Sequence, residues 1–534
     1  MDSDGKMDGR LTLSCLVYLM ATAILCGALV MVIEVLGSRV IGPFFGVSLY
    51  VWTSLITVTM IALASGYAVG GLVADRRGSA DWLFCSIFGA GLMVLLVPLV
   101  RAPVLKACYP LGLRAGAFVS ALLLFGPSLF LLGWVSPFLV KIATRQLERI
   151  GRTVGGFYAL STLGSVLGTL LTGFVLIGYL GVDRIFGFAG ALLISLAVGY
   201  FVFLRRKWFA AAAALLPLIL FPPSYSPGTS RLLDNGTRAT SVAATDSFYG
   251  SIKVLDYTYP PNHTREIIID GLVQGGIDLQ SGLSIYPYPY FLERIPLALY
   301  PEGTSCLVIG LGAGIIPRGY QKHGVRTEVV DIDPVVVDFA RTYFSYTDSA
   351  QTVIEDARFF LTHHAQRYDY VILDVFNGDM TPGYLLSREA VALLARRISD
   401  KGVLGINLFG SLRDNTLMTA SVVRTLSTAF DQVEIYPTFD PLEGDGSGNL
   451  AVIAYSGPAR HLDLQRFDSE EVHWLAKQKV QATIGRRFEF PRDTAAIVLT
   501  DDYNPIDFHD AKLRESVREG VLATTPWDLL IESS

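Results

Sequence analysis

A glycine-rich turn and three aspartates follow four successive predicted strands in the C-terminal half of the chain. Glycines after the first strand let a ligand approach bare backbone closely. After the second strand, Asp331 can accept hydrogen bonds from both hydroxyls of a ribose, and after the third, Asp356 can bind an adenine amino group. These residue types at these places predict a nucleoside-binding site. Its candidate residues are Gly310, Gly312, Gly314, Asp331, Asp356 and Ala357.

Each of these residues also has a purely structural interpretation. A glycine-rich turn can be only a tight turn, and an acid at a strand end often caps the next helix. Capping is the better interpretation of Asp333, which precedes Pro334, and it stays an alternative for Asp356. Asp374 ends the fourth strand and is either a catalytic acid or a structural one. The succession of such residues at strand ends favours the binding site.

The elements that must position these residues alternate between strand and helix. Such alternation predicts a parallel sheet with helices on both faces, a Rossmann-like α/β domain of the methyltransferase type, with ligands at the carboxyl ends of the strands. Before it, an Asp270-Gly271 turn signal within short β-rich runs predicts a small antiparallel sheet across about 238–275. A helix is predicted at 284–299. The predicted strands of the larger sheet are 305–309, 327–331, 351–354, 370–374 and 403–408.

The N-terminal half differs in composition, because nearly all the long apolar runs lie within residues 11–222. Charged residues make up 17% of the chain, below the roughly 25% of a soluble protein. A membrane span needs roughly 20 mostly apolar residues, and small-residue spacings at Gly66/Gly70 and Gly164/Gly168 predict close packing between spans. The sequence therefore predicts an α-helical polytopic membrane domain. Its predicted spans lie near 12–36, 50–74, 82–100, 115–140, 154–179 and 185–204.

The side of the membrane on which the C-terminal domain lies depends on a shorter apolar run, Trp208 to Phe221, which contains Pro217. Lysine and arginine are concentrated in the loops on the same side as the N-terminus, which predicts that this side is cytoplasmic. Six spans then leave the C-terminal domain in the cytoplasm, and a seventh would put it outside. We favour a multi-pass protein of the cell inner membrane with six spans and a cytoplasmic soluble domain, because the predicted substrate is a cytosolic nucleoside.

Composition and patterning also set the domain boundaries and exclude some partners. A net charge of −5 gives no electrostatic footprint for nucleic acid. The five cysteines show no metal-ligand spacing, so neither a zinc site nor a disulfide framework is predicted. The expected partners are small molecules and membrane lipid. The predicted domains are 1–222 (six or seven transmembrane helices), 223–237 (linker), 238–300 (small sheet and helix) and 301–534 (Rossmann-like domain and tail).

The stretch from about 245 to 455 resembles the spermidine synthase family of polyamine aminopropyltransferases. The matching pieces are Ser247-Phe-Tyr249, Asp270-Gly271-x-x-Gln274, Tyr288 before an Ile295-Pro296-Leu297 turn, the glycine turn, Val330-Asp331-Ile-Asp333-Pro, Asp356 and Asp374. Other pieces resemble the membrane-fused branch of that family. They are Glu34-Val-Leu-Gly, Val51-Trp52, Asp374-Val-Phe-Asn-Gly-Asp379 and the tail Leu499-Thr-Asp-Asp-Tyr-Asn-Pro505.

The resemblance implies a transferase of spermidine biosynthesis. An aminopropyl group would pass from the co-substrate decarboxylated S-adenosylmethionine to a diamine such as putrescine, with release of methylthioadenosine. Asp374 would be the base that takes the proton of the amine. No prosthetic group and no metal are implied, and the family tends to form homodimers through the soluble domain. The residues implied on the amine side are Tyr249, Gln274, Tyr288, Asn377 and Asp379, the last replacing an acid that the family has at the position of Asn377.

The chain departs from the family pattern where the aminopropyl group and the amine bind. In the glycine turn, Ala313 stands where the family has an aspartate that contacts the aminopropyl group. Other replacements are Gly250 for a glutamine, Ser284-Ile285 for an acidic pair and Pro289 for a histidine or glutamine. The loop Asp440–Gly448 is either a replacement source of negative charge or a solvated acidic loop.

Two other functions stay open at this point. Loss of the aspartate in the glycine turn is compatible with a methyltransferase that uses intact S-adenosylmethionine. Alternatively, the soluble domain senses a nucleoside or polyamine and gates a membrane transporter. This hypothesis is motivated by Glu34 inside the first span, where a carboxylate is costly, and by the run Gly66–Arg77, which resembles a loop of major-facilitator transporters.

Overall fold

The computed structural model describes residues 13–46, 49–144, 150–220, 228–347, 351–376, 380–465, 467, 471–525 and 527–531. The chain divides into two compact units. The first, called here the helical unit, comprises Met1–Ser226, Thr245–Ser251 and Leu530–Ser534. The second, called the α/β unit, comprises Pro227–Ala244 and Ile252–Leu529.

The helical unit consists of apolar helices. They are α1 Leu13–Phe45, α2 Leu49–Arg77, α3 Ala80–Cys108, α4 Gly112–Gly133, α5 Val135–Thr144, α6 Ile150–Leu171, α7 Ile177–Tyr179, α8 Val182–Gly199 and α9 Leu216–Leu220. A π-helical turn, Thr172–Leu176, joins α6 to α7, and another, Tyr200–Leu204, extends α8. The shorter run of the sequence forms a 3-10 helix, Trp208–Leu215, that leads into α9.

Five stretches of the described helices are long and apolar enough to cross a membrane: 13–45, 49–77, 80–143, 151–179 and 182–204. The third has 64 residues, about 96 Å as one straight helix, which is roughly three times the hydrocarbon core of a bilayer. It changes direction at Gly112, where φ is 77°, so that α3 and α4 pack against each other. The predicted spans 82–100 and 115–140 both fall within this stretch. The helical unit is compatible with a membrane protein.

The predicted small-residue spacings lie where helices of this unit approach most closely. A Cβ atom at Gly164 on α6 would lie 2.1 Å from the carbonyl oxygen of Ile24 on α1, and one at Gly168 would lie 2.4 Å from that of Ala28. A Cβ at Gly66 on α2 would lie 2.3 Å from the Phe130 carbonyl oxygen. Because no larger residue fits these crossings, the spacings serve helix packing.

The α/β unit begins with an antiparallel sheet of five strands in sequence order. The turn between its last two strands is made by Asp270 and Gly271, whose φ angles of 48° and 78° are both positive. Two successive positive φ angles are typical of the hairpin turn that Asp-Gly favours, so the predicted turn is confirmed. The strands are β1 Ser230–Leu232, β2 Arg238–Asp246, β3 Ser251–Tyr259, β4 Asn262–Ile269 and β5 Leu272–Asp278.

A seven-stranded sheet follows, in the order β11-β12-β10-β9-β6-β7-β8. Its strands are β6 Ser305–Ile309, β7 Arg326–Asp331, β8 Gln351–Ile354, β9 Tyr368–Leu373, β10 Ile398–Ser411, β11 Gln432–Pro437 and β12 Ser447–Tyr455. Neighbours from β8 to β10 are parallel, whereas β12 is antiparallel to β10 and β11. The predicted Rossmann-like domain of the methyltransferase type, preceded by a small antiparallel sheet, is confirmed.

Helices cover both faces of this sheet. They are α10 Tyr288–Leu299, α11 Ile315–Lys322, α12 Pro334–Tyr343, α13 Ala357–His363, α14 Arg388–Arg397 and α15 Leu417–Leu426, followed by α16 Trp474–Thr483, α17 Ile506–His509, α18 Ala511–Thr524 and α19 Trp527–Ile531. Alternate residues of one strand face opposite apolar cores, as Val308 and Leu307 of β6 do. Burial on both faces explains why these strands are continuous apolar runs.

Helix α10 differs from the sequence prediction at its N-terminal end. It begins at Tyr288 and not at 284, because Ser284 still pairs with Ile277 beside β5. The predicted end at 299 is confirmed, and residues 295–297, described above as a turn, lie inside the helix. Proline leaves the carbonyl four residues earlier without its helical donor. Here that carbonyl, of Leu292, accepts a hydrogen bond from the Tyr320 hydroxyl at 2.8 Å.

A buried ion pair joins α3 to the first turn of α8. The Arg101 guanidinium donates to both carboxylate oxygens of Asp183, at 2.7 and 2.9 Å. The two residues are 7% and 8% exposed. Because a charge in apolar surroundings is costly without its partner, the pair fixes the register of these two helices.

We expect Arg101→Met to destabilise the helical unit by about 3–5 kcal/mol, because the Asp183 carboxylate loses both bonds while it stays buried. The double variant Arg101→Met/Asp183→Leu should recover most of that loss. Reversible unfolding in detergent measures both, with Lys106→Met, at an exposed position of α3, as the control. A double variant as unstable as the single one would contradict the charge-pairing explanation.

Candidate active site

The predicted ligand site is a crevice at the edge of the larger sheet, at the point where the strand order reverses. From β6 the chain proceeds to β7 and β8 on one side, and then to β9 and β10 on the other. Ligands of such sheets bind outside the carboxyl ends of the strands at this reversal. Gly310 follows β6, and Asp374 follows β9 directly beside it, with the Asp374 amide donating to the Ile309 carbonyl at 2.8 Å.

The glycine turn needs glycine for two separate reasons. Gly310 and Gly312 have φ angles of 92° and 51°, a region that other residues adopt at a cost. A Cβ at Gly310 would also lie 2.1 Å from the Asp374 carbonyl oxygen, and one at Gly312 would lie 3.0 Å from the Gln274 carbonyl oxygen. The turn ends at Gly314, the residue before α11. The turn therefore lies close to the backbone of both Asp374 and Gln274.

Asp331 at the end of β7 is tied to the glycine turn. Its Oδ2 accepts the Leu311 amide at 2.8 Å, and its Oδ1 accepts the Asp333 amide at 2.9 Å. Burial raises the pKa of Asp331 to about 6, although these two bonds lower it. Asp333 caps α12 through the Val335 amide, as predicted. Ile332, between the two acids, has an exposed apolar side chain, and the sequence analysis did not single it out.

Asp356 is the N-cap of α13, with one oxygen left for another partner. Its Oδ1 accepts the amides of Arg358 and Phe359, both at 2.9 Å. Its Oδ2 accepts the hydroxyl of Tyr384 at 3.2 Å. Ala357 is the first residue of α13 and is buried. The structure thus bears out the capping interpretation and leaves room for a ligand role at Oδ2, beside Tyr384, a residue that the sequence analysis did not single out.

Asp374 is half-buried and held by one of its two carboxylate oxygens. Its Oδ1 accepts the Asn407 side-chain amide at 2.7 Å, and Asn407 in turn accepts from the Asn449 amide at 2.9 Å. Within the described residues, Oδ2 makes no hydrogen bond. Burial raises the pKa of Asp374 to about 6, and the bond from Asn407 lowers it. The arrangement leaves one oxygen free to take a proton.

Asn407 and Asn449 lie on β10 and β12 and were not predicted as site residues. Asn407 is 2% exposed and lies within residues 402–410 of β10, a run without any other polar side chain. A single amide inside such a run is the signal that could have identified it, because buried polar groups need partners.

Two of the predicted amine-side residues lie beside Asp374. The Tyr288 hydroxyl donates to the Gln274 carbonyl at 3.2 Å. Burial and the nearby charge of Asp374 raise the pKa of Tyr288 well above its usual value. Gln274 on β5 borders the glycine turn at Gly312. These contacts bring Gln274, Tyr288 and Asp374 together around the turn.

The other amine-side predictions lie either in the helical unit or outside the described residues. Tyr249 lies in Thr245–Ser251, which belongs to the helical unit, and its side chain is exposed. Asn377 and Asp379 lie outside the described residues. Their roles stay predictions.

The replaced family positions are occupied by uncharged residues. Ala313 is buried, and a Cβ at Gly275 would lie 3.2 Å from its methyl group. The buried Ser284 hydroxyl donates to the Tyr286 carbonyl at 3.0 Å. In the loop Asp440–Gly448, residues 442–445 are exposed, with Leu442 83% exposed, which favours the solvated acidic loop. In the described part of the chain, no group of acids, histidines and cysteines is arranged to hold a metal ion.

Comparison with known proteins relates one segment of this chain to a known family. Residues 287–445 match the model of the spermine/spermidine synthase domain. The match includes Tyr288, the glycine turn and the three acids Asp331, Asp356 and Asp374. The resemblance found in the sequence is thereby confirmed for this segment.

Three curated relatives extend the comparison. An N-terminal histidine N-methyltransferase of Emericella nidulans is 28% identical over 446 residues, which are 72% of this chain and 78% of that protein. A polyamine aminopropyltransferase of Vibrio vulnificus is 33% identical over 132 residues, 23% of this chain and 44% of that enzyme. Polyamine aminopropyltransferase 2 of Aquifex aeolicus is 22% identical over 82% of this chain and 88% of its own length.

The matches to the Emericella and Aquifex proteins are long and reach beyond the α/β unit. The match to the Vibrio enzyme has a higher identity but spans less than half of that enzyme. The three relatives include two named for aminopropyl transfer and one named for methyl transfer. Residues 287–445 of this chain match the spermine/spermidine synthase domain, and the similarity to polyamine aminopropyltransferases extends beyond that segment.

Proposed function

We propose that this chain is a polyamine aminopropyltransferase. It transfers an aminopropyl group from decarboxylated S-adenosylmethionine to a diamine such as putrescine. The observation that carries the proposal is Asp374, a half-buried acid beside the glycine turn, with one carboxylate oxygen that makes no hydrogen bond to the described residues. The family match and the two aminopropyltransferase relatives support it.

The reaction is a displacement at carbon. One ammonium of the diamine first gives a proton to the Asp374 carboxylate. The freed lone pair then forms a bond to the propyl carbon next to the sulfonium. The carbon–sulfur bond breaks, its electron pair moves to sulfur, and neutral methylthioadenosine leaves.

The raised pKa of Asp374 suits this role. An alkyl ammonium has a pKa near 10.4, so its deprotonation at pH 7 costs about 4–5 kcal/mol. An acid with a pKa of about 6 is a stronger base than an ordinary aspartate by about 3 kcal/mol. At neutral pH it is still mostly ionised and ready to accept the proton.

On the nucleoside side, Asp331 would accept the ribose hydroxyls and Asp356 the adenine amino group, with the backbone of the glycine turn against the ligand. Tyr288 and Gln274 would border the amine. We further propose that the helical unit anchors the enzyme as a multi-pass protein of the inner membrane, with the α/β unit in the cytoplasm, and that the enzyme forms homodimers.

A second candidate function is N-methyl transfer from intact S-adenosylmethionine. The long match to the histidine N-methyltransferase favours it, as does the absence of an anion at Ala313. An imidazole acceptor is largely neutral at pH 7, so this reaction would demand less of the base than an alkyl ammonium does. The two candidates differ in the donor and in the nucleoside product.

We expect the purified protein to bind methylthioadenosine and decarboxylated S-adenosylmethionine, and Asp331→Ala to abolish both, because the ribose contacts are lost. Calorimetry in detergent measures this, with S-adenosylhomocysteine as the comparison ligand. Tight binding of S-adenosylhomocysteine with little affinity for methylthioadenosine would establish the methyltransferase alternative instead.

We expect Asp374→Asn to lower the formation of methylthioadenosine by about 10²- to 10⁴-fold, the usual contribution of a general base. Binding of methylthioadenosine should change little. Asp338→Asn, the same change on the exposed face of α12, is the matched control. Unchanged turnover in Asp374→Asn would show that the base is assigned wrongly.

Removal of the Asn407 hydrogen bond should shift the acid limb of the pH profile. Asp374 acts as base only when ionised, so kcat/KM of the wild type should fall as the pH drops through about 6. Asn407→Leu removes a bond that stabilises the charged form, so the limb should move up by about one pH unit. Asn449→Leu, one bond further away, should move it less. A rate loss equal at every pH would refute this role of Asn407.

A further inference from the structure

The tail segment, residues Leu499–Ile506, is a sequence motif to which the proposed reaction assigns no role. It is anchored at both ends, since Leu499 and Ile506 are buried and the Leu499 amide donates to the Thr425 hydroxyl at 2.9 Å. Between the anchors, Thr500 and Tyr503 exchange backbone hydrogen bonds of 3.0 and 3.2 Å. The segment is therefore a tight turn held against the α/β unit.

The tail segment packs on the Tyr384 loop, defined as residues Met380–Leu386. The Asn504 side-chain amide donates to the Gly383 carbonyl at 2.7 Å. A Cβ at Gly383 would lie 3.0 Å from the Ile506 side chain and 3.1 Å from Asn504. This contact is close enough that a larger residue at 383 would displace one partner.

The same tail segment is bonded to the helix that Asp356 caps. The Arg358 guanidinium binds both carboxylate oxygens of Asp501, one of them at 2.8 Å. Arg358 also donates to the Tyr384 carbonyl at 3.1 Å. The guanidinium holds the pKa of Asp501 below its usual value, so the pair is charged at neutral pH. Asp501 and Arg358 thus tie α13, the tail segment and the Tyr384 loop together.

These contacts converge on the hydrogen bond from the Tyr384 hydroxyl to Asp356 Oδ2. We infer that the tail segment is part of the nucleoside site, where it holds Tyr384 against the acid that meets the adenine. Asp501 and Asn504 are then positioning residues for an adenosyl ligand. The inference rests on the proposed function, because it takes Asp356 as the residue facing the base.

This arrangement affects binding of the nucleoside more than the chemical step. In the sheet, β8 precedes Asp356 and β9 precedes Asp374, and β6 and β7 lie between these two strands. Loosening the Tyr384 loop therefore weakens contacts with the adenine while the base keeps its place. The expected signature is a raised KM for the donor with kcat and the KM of the acceptor nearly unchanged.

The test uses the full-length protein in detergent, with methylthioadenosine and S-adenosylhomocysteine as calorimetric probes. We expect Asp501→Asn and Asn504→Ala each to weaken binding of the nucleoside that the wild type takes by about 3- to 10-fold, the usual effect of one hydrogen bond. Asp502→Asn is the matched control, because it makes the same change one residue away at an exposed position of the same turn. Melting temperatures of all variants report folding.

A double-mutant cycle separates positioning from general stabilisation. Tyr384→Phe removes the hydroxyl that binds Asp356. In that background Asn504→Ala should add less than about a twofold loss, because both changes act through one bond. Fully additive losses would overturn the inference.

The proposed function and the inference fail in different ways. If the wild type binds neither nucleoside, both are overturned. If the wild type binds and Asp331→Ala does not, while Asp501→Asn and Asn504→Ala match the Asp502→Asn control, only the role of the tail segment is overturned.

Discussion

The hydrogen bond from the Asp374 amide to the Ile309 carbonyl is the contact on which the candidate site depends. It extends the β6–β9 ladder by one residue, so that the first residue after β9 rests against the glycine turn after β6. The approach is so close that position 310 cannot carry a side chain. The glycine turn and the candidate base are therefore held by the same backbone hydrogen bond, so a shift of one segment would displace the other.

Two half-buried acids on this edge, each with its pKa raised to about 6 by burial, use their carboxylate oxygens differently. Asp331 uses both oxygens on backbone amides, which fixes the carboxylate in one orientation. Asp374 uses one oxygen on a side-chain amide and keeps the other free in the described structure. Burial favours the neutral form of each. The second arrangement leaves one carboxylate oxygen without a hydrogen bond among the described residues.

Polar groups elsewhere in the protein are also paired with partners from distant parts of the chain. In the helical unit, Arg101 and Asp183 satisfy each other between apolar helices. In the α/β unit, Tyr320 supplies the hydrogen bond that Pro296 withholds from α10. At the rim of the site, the Arg358–Asp501 pair is more exposed, so its contribution lies in geometry more than in stability. Each pair joins residues distant in sequence and fixes how the elements pack.

The sequence by itself determined the alternation of strands and helices and the acids and glycines at the strand ends. It could do so because burial on both faces makes a parallel strand a continuous apolar run, and because the carboxyl ends of such strands meet at one edge. Only the tertiary structure decided the partners: Asn407 and Asn449 behind Asp374, Tyr384 beside Asp356, and Tyr320 at the carbonyl that Pro296 leaves without its helical donor. The loop of Tyr249 is another such case, since it belongs to the helical unit. Periodicity is local, whereas these partners depend on strand order and register between residues far apart in the chain.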